Sequence, residues 1–229
     1  METVEMKVIA HIRSDFGSKF GIPRQSGLVD ALRAEIVFEP EYRDAEALRG
    51  IEGFSHLWLL WHFSEAVRGT WSPTVRPPRL GGNRRMGVFA TRSPFRPNPL
   101  GLSCVRLLGV KPDPACGPVL CVAGADLMDG TPIFDIKPYA PYADCHPEAS
   151  GGFAAERPET LPVVCAPELL APLPEEKRAA LLGVLAQDPR PRYQHDEQRV
   201  YGLDFAGWNV RFSVRGGELQ VESIEKAER

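Results

Sequence analysis

The sequence predicts a mainly β protein, in which antiparallel strands are followed by a smaller α+β unit. Three observations carry that expectation. Short apolar segments bounded by Gly, Pro or Asp follow one another through the first 140 residues or so with few helical stretches between them. No G-x-G-x-x-G follows a strand and opens a helix, so a dinucleotide-type parallel sheet has no support. Around "DCHPEASGGFAAERPETLP" the composition shifts to Pro, Gly, Glu and Ala, as in a linker.

Taken in order, "MKVIAHIRS" alternates well enough for a first strand, with Met6, Val8, Ala10 and Ile12 on one face. "FGIPRQSGL" is a polar loop punctuated by Pro and Gly. "AEIVFEP" reads as a second strand stopped by Pro40, and "YRDAEALRGIEGF" as a short helix ended at Gly50 or Gly53. "SHLWLLWHF" is short, aromatic and apolar, which suits a buried strand. After a loop through "TWSPTVRPPRLGGNRR", strands are expected at "MGVFAT", "LSCVRLLGV", "PVLCVAGA" and "TPIFDIKPY". Such a series suits an antiparallel barrel or a sandwich. Beyond the linker, "PEEKRAALLGVLAQD" is an amphipathic helix with Leu181, Leu182 and Leu185 inward. "RVYGLDFAGWNVRFSVRGGELQVESIE" alternates, with Gly216-Gly217 as a hairpin turn. The expected units are residues 1–147, a linker at 148–165, and residues 166–229.

At 229 residues, 43% apolar and 25% charged, the chain has the composition of an ordinary globular protein. No apolar run approaches the ~18 residues of a membrane helix. The N-terminus is acidic where a secretory signal would be basic, so the cytosol is the expected compartment. The cysteines number five, lack a C-x-x-C pair and have no histidine at ligand spacing; neither disulfides nor a metal site is expected. Net charge is −3, which excludes a generic, strongly basic nucleic-acid binder. Yet Arg76, Arg79, Arg84, Arg85, Arg92 and Arg96 follow one another without an intervening Asp or Glu, which points to a local anionic partner.

Three constellations could carry chemistry. In "RSPFRPNPLG", Pro94, Pro97 and Pro99 stiffen a turn that presents Arg92, Arg96 and Asn98, and a guanidinium can fork onto carboxylate or phosphate. A structural turn with solvated arginines is the plainer reading. In "DLMDGTPIFDIKPY", Asp126, Asp129, Asp135 and Lys137 crowd one segment; Asp129-Gly130-Thr131 is a tight turn able to meet a polar ligand edge, or simply a turn. In "AQDPRPRYQ", Arg190, Arg192 and Tyr193 offer cations and an aromatic face for single-stranded RNA, or a solvated helix end. No Ser-His-Asp set and no H-E-x-x-H appears. What remains are positioning groups, which suit transfer from an activated cofactor.

"PRQSGL", "GIEGFSHLW", "RPPRLGGNRRMGVFATRSPFRPNPLGLS", "DLMDGTPIFDIKPY" and "AQDPRPRY", in this order and over nearly the whole chain, resemble the TrmO (TsaA-like) family. The resemblance implies an S-adenosylmethionine-dependent tRNA methyltransferase acting on N6 of N6-threonylcarbamoyladenosine, at position 37 beside the anticodon of threonine-accepting tRNA. It also implies an N-terminal antiparallel β-barrel that binds the cofactor, and a homodimer. The small C-terminal domain, with Asp188, Arg190, Arg192 and Tyr193, would help hold the tRNA anticodon loop, as would Arg84, Arg85 and Arg96. By the same resemblance the cofactor site would comprise Pro23, Arg24, Gln25, His62, Phe63, Ser64, Arg92, Leu102 and the turn Asp129-Gly130-Thr131.

The acceptor nitrogen belongs to a urea and must lose its proton as it attacks, so an acceptor aimed at that N–H would act chiefly in the transition state. Asn98, held between two prolines, is the candidate and Asp129 its rival; Arg92 or Arg96 would bind the threonyl carboxylate. The alternatives are a barrel that binds S-adenosylmethionine as a sensor without transfer, and a methyltransferase acting on another RNA or a small molecule.

Overall fold

A computed structural model describes residues 2–66, 70–191, 194 and 196–227. The first sheet contains β1 (Ala10–Arg13) and β2 (Arg33–Phe38), then β3 (His56–His62). A two-stranded ribbon follows, β4 (Thr74–Val75) with β5 (Met86–Gly87). Next come β6 (Leu100–Asp113), β7 (Gly117–Ala123), β8 (Pro132–Pro138) and the one-turn helix α1 (Pro141–Asp144). The remainder holds β9 (Val163–Val164), α2 (Pro167–Leu170), α3 (Glu175–Ala186), β10 (Tyr201–Phe205), β11 (Trp208–Arg215) and β12 (Glu218–Lys226).

The first sheet runs β1-β2-β7-β6-β3-β8, entirely antiparallel, and β8 pairs back onto β1 through Ala10↔Ile133. The hydrogen-bonded circuit therefore closes on itself. Strand alternation then sorts side chains: Ala10, Ile12, Ile36, Leu57, Leu59, Trp61, Val105, Leu120, Val122 and Ile133 face inward and fill one core. A bulge between Leu107 and Gly109 lets β6, at 14 residues, follow the curve.

A second core joins α3 (Ala180, Leu181, Val184, Leu185) to β10–β12, with the sheet order β10-β11-β12-β9. The turn from β11 to β12 uses Gly216 and Gly217, both at positive φ (56° and 83°), as a two-residue hairpin connection requires. Phe16, Val29 and Leu32, from the segment between β1 and β2, are also part of this second core. Lys177 clamps the same segment, with Nζ at 2.6 and 2.8 Å from the two carboxylate oxygens of Asp15. The C-terminal part thus buttresses the loop that carries Pro23, Arg24 and Gln25.

Several expectations need correction. Strand β1 starts at Ala10 rather than Met6, which is 45% exposed; backbone pairing with β8 and the end of β2 reaches back only to Ile9, whose N–H donates to Ile133 O at 2.9 Å. "YRDAEALRGIEGF" forms separate 3₁₀ turns, at Ala45–Leu48 and Ile51–Gly53, since Gly50 sits at φ 86° between them. "MGVFAT" leaves the ribbon after Gly87 and becomes a 3₁₀ turn, Val88–Ala90. Within the expected linker, Val163 and Val164 are a strand, pairing in parallel with Leu219 and Gln220. In α3 the inward positions are Leu181 and Leu185, with Leu182 only half-buried.

Candidate functional site

Antiparallel pairing brings the C-terminal end of β3, the N-terminal ends of β6 and β8 and the C-terminal end of β1 to the same rim. Trp61 lies opposite Gly101 and Ile133, His62 opposite Leu100, and His11 opposite Pro132. The loops that carry the sequence motifs are tied to this rim by specific hydrogen bonds. Phe63 N donates to Pro99 O at 2.9 Å, which fixes the proline–arginine turn to the end of β3. Ser26 Oγ accepts from Cys104 N at 3.1 Å, and Gly27 N donates to Gly124 O at 2.9 Å, docking the first loop onto β6 and the end of β7. Arg92 Nη1 donates to Gln25 Oε1, and Gln25 Nε2 to Arg24 O, so the first loop and the proline–arginine turn, 67 positions apart at these residues, meet through side chains. On the turn before β8, Gly130 N donates to Ile12 O at 2.8 Å, and Asp129 Oδ1 accepts Ser14 N at 2.9 Å.

One buried chain lies beneath this surface. Trp61 Nε1 donates to Ser103 Oγ at 3.0 Å, and Ser103 Oγ donates to Asp126 Oδ1 at 2.6 Å. The indole of Trp61 also explains Gly101: a Cβ there would lie 2.2 Å from the ring. Asp126 is half-buried by surface, yet desolvation pushes its carboxyl above the ordinary carboxylate range, opposed by the Ser103 hydroxyl, by the Arg92 charge and by the Ser26 amide. Held by Ser103 beneath the rim, this carboxyl lies within electrostatic reach of Arg92. Asp126 is absent from the set of site residues that the motifs suggested. Its only sequence signal was the crowding of acids in "DLMDG"; its partners Ser103 and Trp61 are far away in sequence.

The expected residues divide as follows. Arg24, Gln25 and Arg92 are joined by hydrogen bonds at the rim, and Pro23 is buried beneath them. Phe63 packs against Trp61 at a centroid distance of 4.2 Å, His62 lies 5.8 Å from Phe134, and Ser64 is exposed where the chain leaves β3. Thr131 is buried and closes its own turn, its Oγ1 donating to Met128 O at 2.7 Å. Leu102 projects away from the core and is 55% exposed, on the face opposite inward Ser103. Asn98 is exposed at the tip of the turn, while its backbone O accepts from Leu100 N at 2.7 Å. Arg96 is half-buried, with Nη1 on Thr91 O at 3.2 Å. Arg84 and Arg85 are exposed on the ribbon, and Arg85 Nε reaches Thr74 Oγ1 at 2.8 Å. Away from the rim, beyond α3, Arg190 forks onto Asp188 at 2.8 and 3.0 Å, and Asp188 sits at φ 49°. Arg192 and Tyr193 lie outside the described residues.

Of two shallow hollows, the one of 220 Å³ takes in Asp129 and Gly130 beside His11, Arg13 and Arg43. The other, of 360 Å³, is lined by Arg13, Asp15, Arg33 and Lys177 among others. Neither is lined by Gln25 or Arg92. Among the described residues no group of three or more His, Cys, Asp or Glu could hold a metal ion. No helix among them is long and apolar enough to cross a membrane.

Comparison with known proteins supplies independent findings. The family model described as the tRNA-methyltransferase O N-terminal domain matches residues 11–145, and that described as the TrmO C-terminal domain matches residues 158–227. The tRNA (adenine(37)-N6)-methyltransferase of Escherichia coli K12 is 44% identical over 237 residues, covering 98% of this chain and 99% of the relative. A Pseudomonas aeruginosa relative, 43% identical over 209 residues and covered to 88% on both sides, is named for S-adenosylmethionine-dependent methyl transfer. A crystal structure of TrmO from Pseudomonas aeruginosa superposes with a TM-score of 0.80 at 34% identity, covering 97% of this chain and 98% of that one.

Proposed function

This chain belongs to the tRNA-methyltransferase O family, and on that premise we propose that its acceptor is N6 of N6-threonylcarbamoyladenosine at position 37 of threonine-accepting tRNA. It is an S-adenosylmethionine-dependent tRNA methyltransferase, a reading supported by kinship along almost its whole length. The observation that carries the site assignment is the meeting of Gln25 and Arg92 at the rim where Phe63, Asp126 and the Asp129 turn also lie.

The donor set suits the cofactor. Arg92 matches its carboxylate, Asp126 and Asp129 its ammonium and ribose hydroxyls, and the Gln25 amide and Phe63 ring its adenine. When bound, the cofactor supplies a methyl group already activated on sulfonium. The protein's task is alignment of acceptor and methyl, which a proline-stiffened turn on a closed strand circuit performs with little reorganisation. Asn98, exposed at the tip, accepts a hydrogen bond from N6–H through its side-chain oxygen as charge develops, and the proton passes on to solvent; Asp129 is the weaker rival because its Oδ1 already holds Ser14 N. Arg96 keeps N–H groups beyond the one on Thr91 O and reads the threonyl carboxylate.

In this reading residues 1–147 form a β-barrel that carries the cofactor and the chemistry. Residues 166–229 form an α+β unit that assists tRNA binding at the anticodon loop. Two copies pair through the outward face where Leu102 and Tyr142 are 55% and 93% exposed, and the partner completes the cofactor site there. We infer a cytoplasmic enzyme from its tRNA-modifying family.

Nucleoside mass spectrometry after deletion of the gene tests the reading. Loss of the N6-methylated threonylcarbamoyl nucleoside, with the unmethylated form retained, is expected. An unchanged nucleoside profile would leave the sensor reading in its place.

A further inference from the structure

The rim does not account for the ribbon that precedes the proline turn. Trp71, just before β4, and Phe89, just after β5, are 54% and 74% exposed, and their rings face each other at 6.3 Å with a 31° tilt. Their footing is ordered. Val88, beside Phe89, is buried, and its N–H donates to Pro73 O at 2.9 Å; Ser72 Oγ donates to Thr74 O at 2.8 Å. Exposed on the same ribbon and its loop are Arg76, Arg84 and Arg85, and the described part of the segment from Thr70 to Asn98 contains no acidic residue. Phe89 lies three residues from Arg92, so at most about 11 Å of chain separates the ring from the rim.

We propose that Trp71 and Phe89 form a stacking platform for unpaired bases flanking the reactive nucleotide of an RNA anticodon loop, while Arg76, Arg84 and Arg85 meet its phosphates. This rests on the tRNA reading given above. A base offers a π-face to each ring and a negative backbone to the arginines, so both halves of the surface are used by one ligand. Charge complementarity favours RNA over a second copy of the chain: a two-fold contact centred on this ribbon would set arginines against arginines.

The test uses the full-length protein and a fluorescein-labelled anticodon stem-loop, with binding read by anisotropy across a salt series. Trp71→Ala and Phe89→Ala are each expected to weaken binding roughly tenfold or more. The salt slope and the S-adenosylmethionine affinity should stay unchanged, and Phe89→Tyr should restore RNA affinity. Stem-loop binding should also quench emission from the wild-type protein and quench Trp71→Phe much less, a readout that does not depend on the alanine variants folding. Wild-type RNA affinity in both alanine variants would overturn the platform. So would loss of self-association in sedimentation with RNA affinity per protomer unchanged, which would assign the rings to a contact between copies. Ring-dependent binding without methyl transfer would overturn the proposed acceptor and keep the platform; methyl transfer with ring-independent binding would do the reverse.

Discussion

Ser103 donates its hydroxyl to Asp126 Oδ1 at 2.6 Å while accepting from Trp61 Nε1 at 3.0 Å, so a buried indole orients a carboxylate at the edge of the site. The hydroxyl has no rotational freedom left, and Asp126 is held in place within electrostatic reach of Arg92.

Burial raises the carboxyl of Asp126, so the folded state binds its proton more tightly than the unfolded state. The contribution to stability is therefore fully present below the ordinary carboxylate range and is lost as pH rises through the folded value. Asp126→Asn keeps an oxygen for Ser103 and removes the desolvated charge. Its melting temperature should match the wild type at acidic pH and exceed it by a few degrees at pH 8, while cofactor affinity falls. A melting curve that is lower at pH 8 would mean that Arg92 more than offsets the burial.

The Arg92–Gln25 bond joins residues 67 positions apart. Gln25→Ala leaves the strands untouched and should weaken S-adenosylmethionine binding by about tenfold, as expected for one lost hydrogen bond to an oriented charge. Isothermal titration decides it, and unaltered affinity would remove Gln25 from the cofactor site.

Asn98 is exposed and its side chain is not needed for the turn, whose backbone bond runs from Leu100 N. Asn98→Ala should lower the single-turnover rate by about 10²-fold with cofactor affinity near normal, the size of effect seen when a transition-state hydrogen-bond partner is lost. A collapse of cofactor affinity instead would make Asn98 a cofactor or structural residue.

Gly101 lies against the face of Trp61, with no room for a methyl group. Gly101→Ala should displace the indole, break its bond to Ser103 and destabilise the protein by about 2–4 kcal/mol, an overpacking cost plus a lost hydrogen bond. Chemical denaturation measures this, and a cost below about 1 kcal/mol would show that Trp61 can move without loss.

Much of the fold was legible from period and punctuation. His56–His62 alternates so that Leu57, Leu59 and Trp61 are buried, and Gly216-Gly217 turns a hairpin as its composition requires. Elements whose limits depend on partners were not legible. Met6 and Val8 alternate like Ala10 and Ile12, but strand β1 begins only where β2 and β8 run alongside it. Val163 and Val164 sit in linker-like composition and are a strand only because β12 offers them an edge. For the site, the motifs singled out Arg92, Gln25 and the Asp129 turn. Asp126 needed Ser103, 23 residues away, before it could be told from its neighbours.

By itself the sequence determined which segments could be strands, where prolines would stiffen the chain, and which stretch would be cationic. These are local properties, set by backbone torsion limits, side-chain period and charge. Only the tertiary structure decided that the first loop would sit under Arg92, that Arg190 would be held by Asp188, and that Trp71 and Phe89 would stand together in solvent. Burial, desolvation and ring contact are properties of pairs brought together from distant positions, and pairing register, not local preference, sets which residues those are.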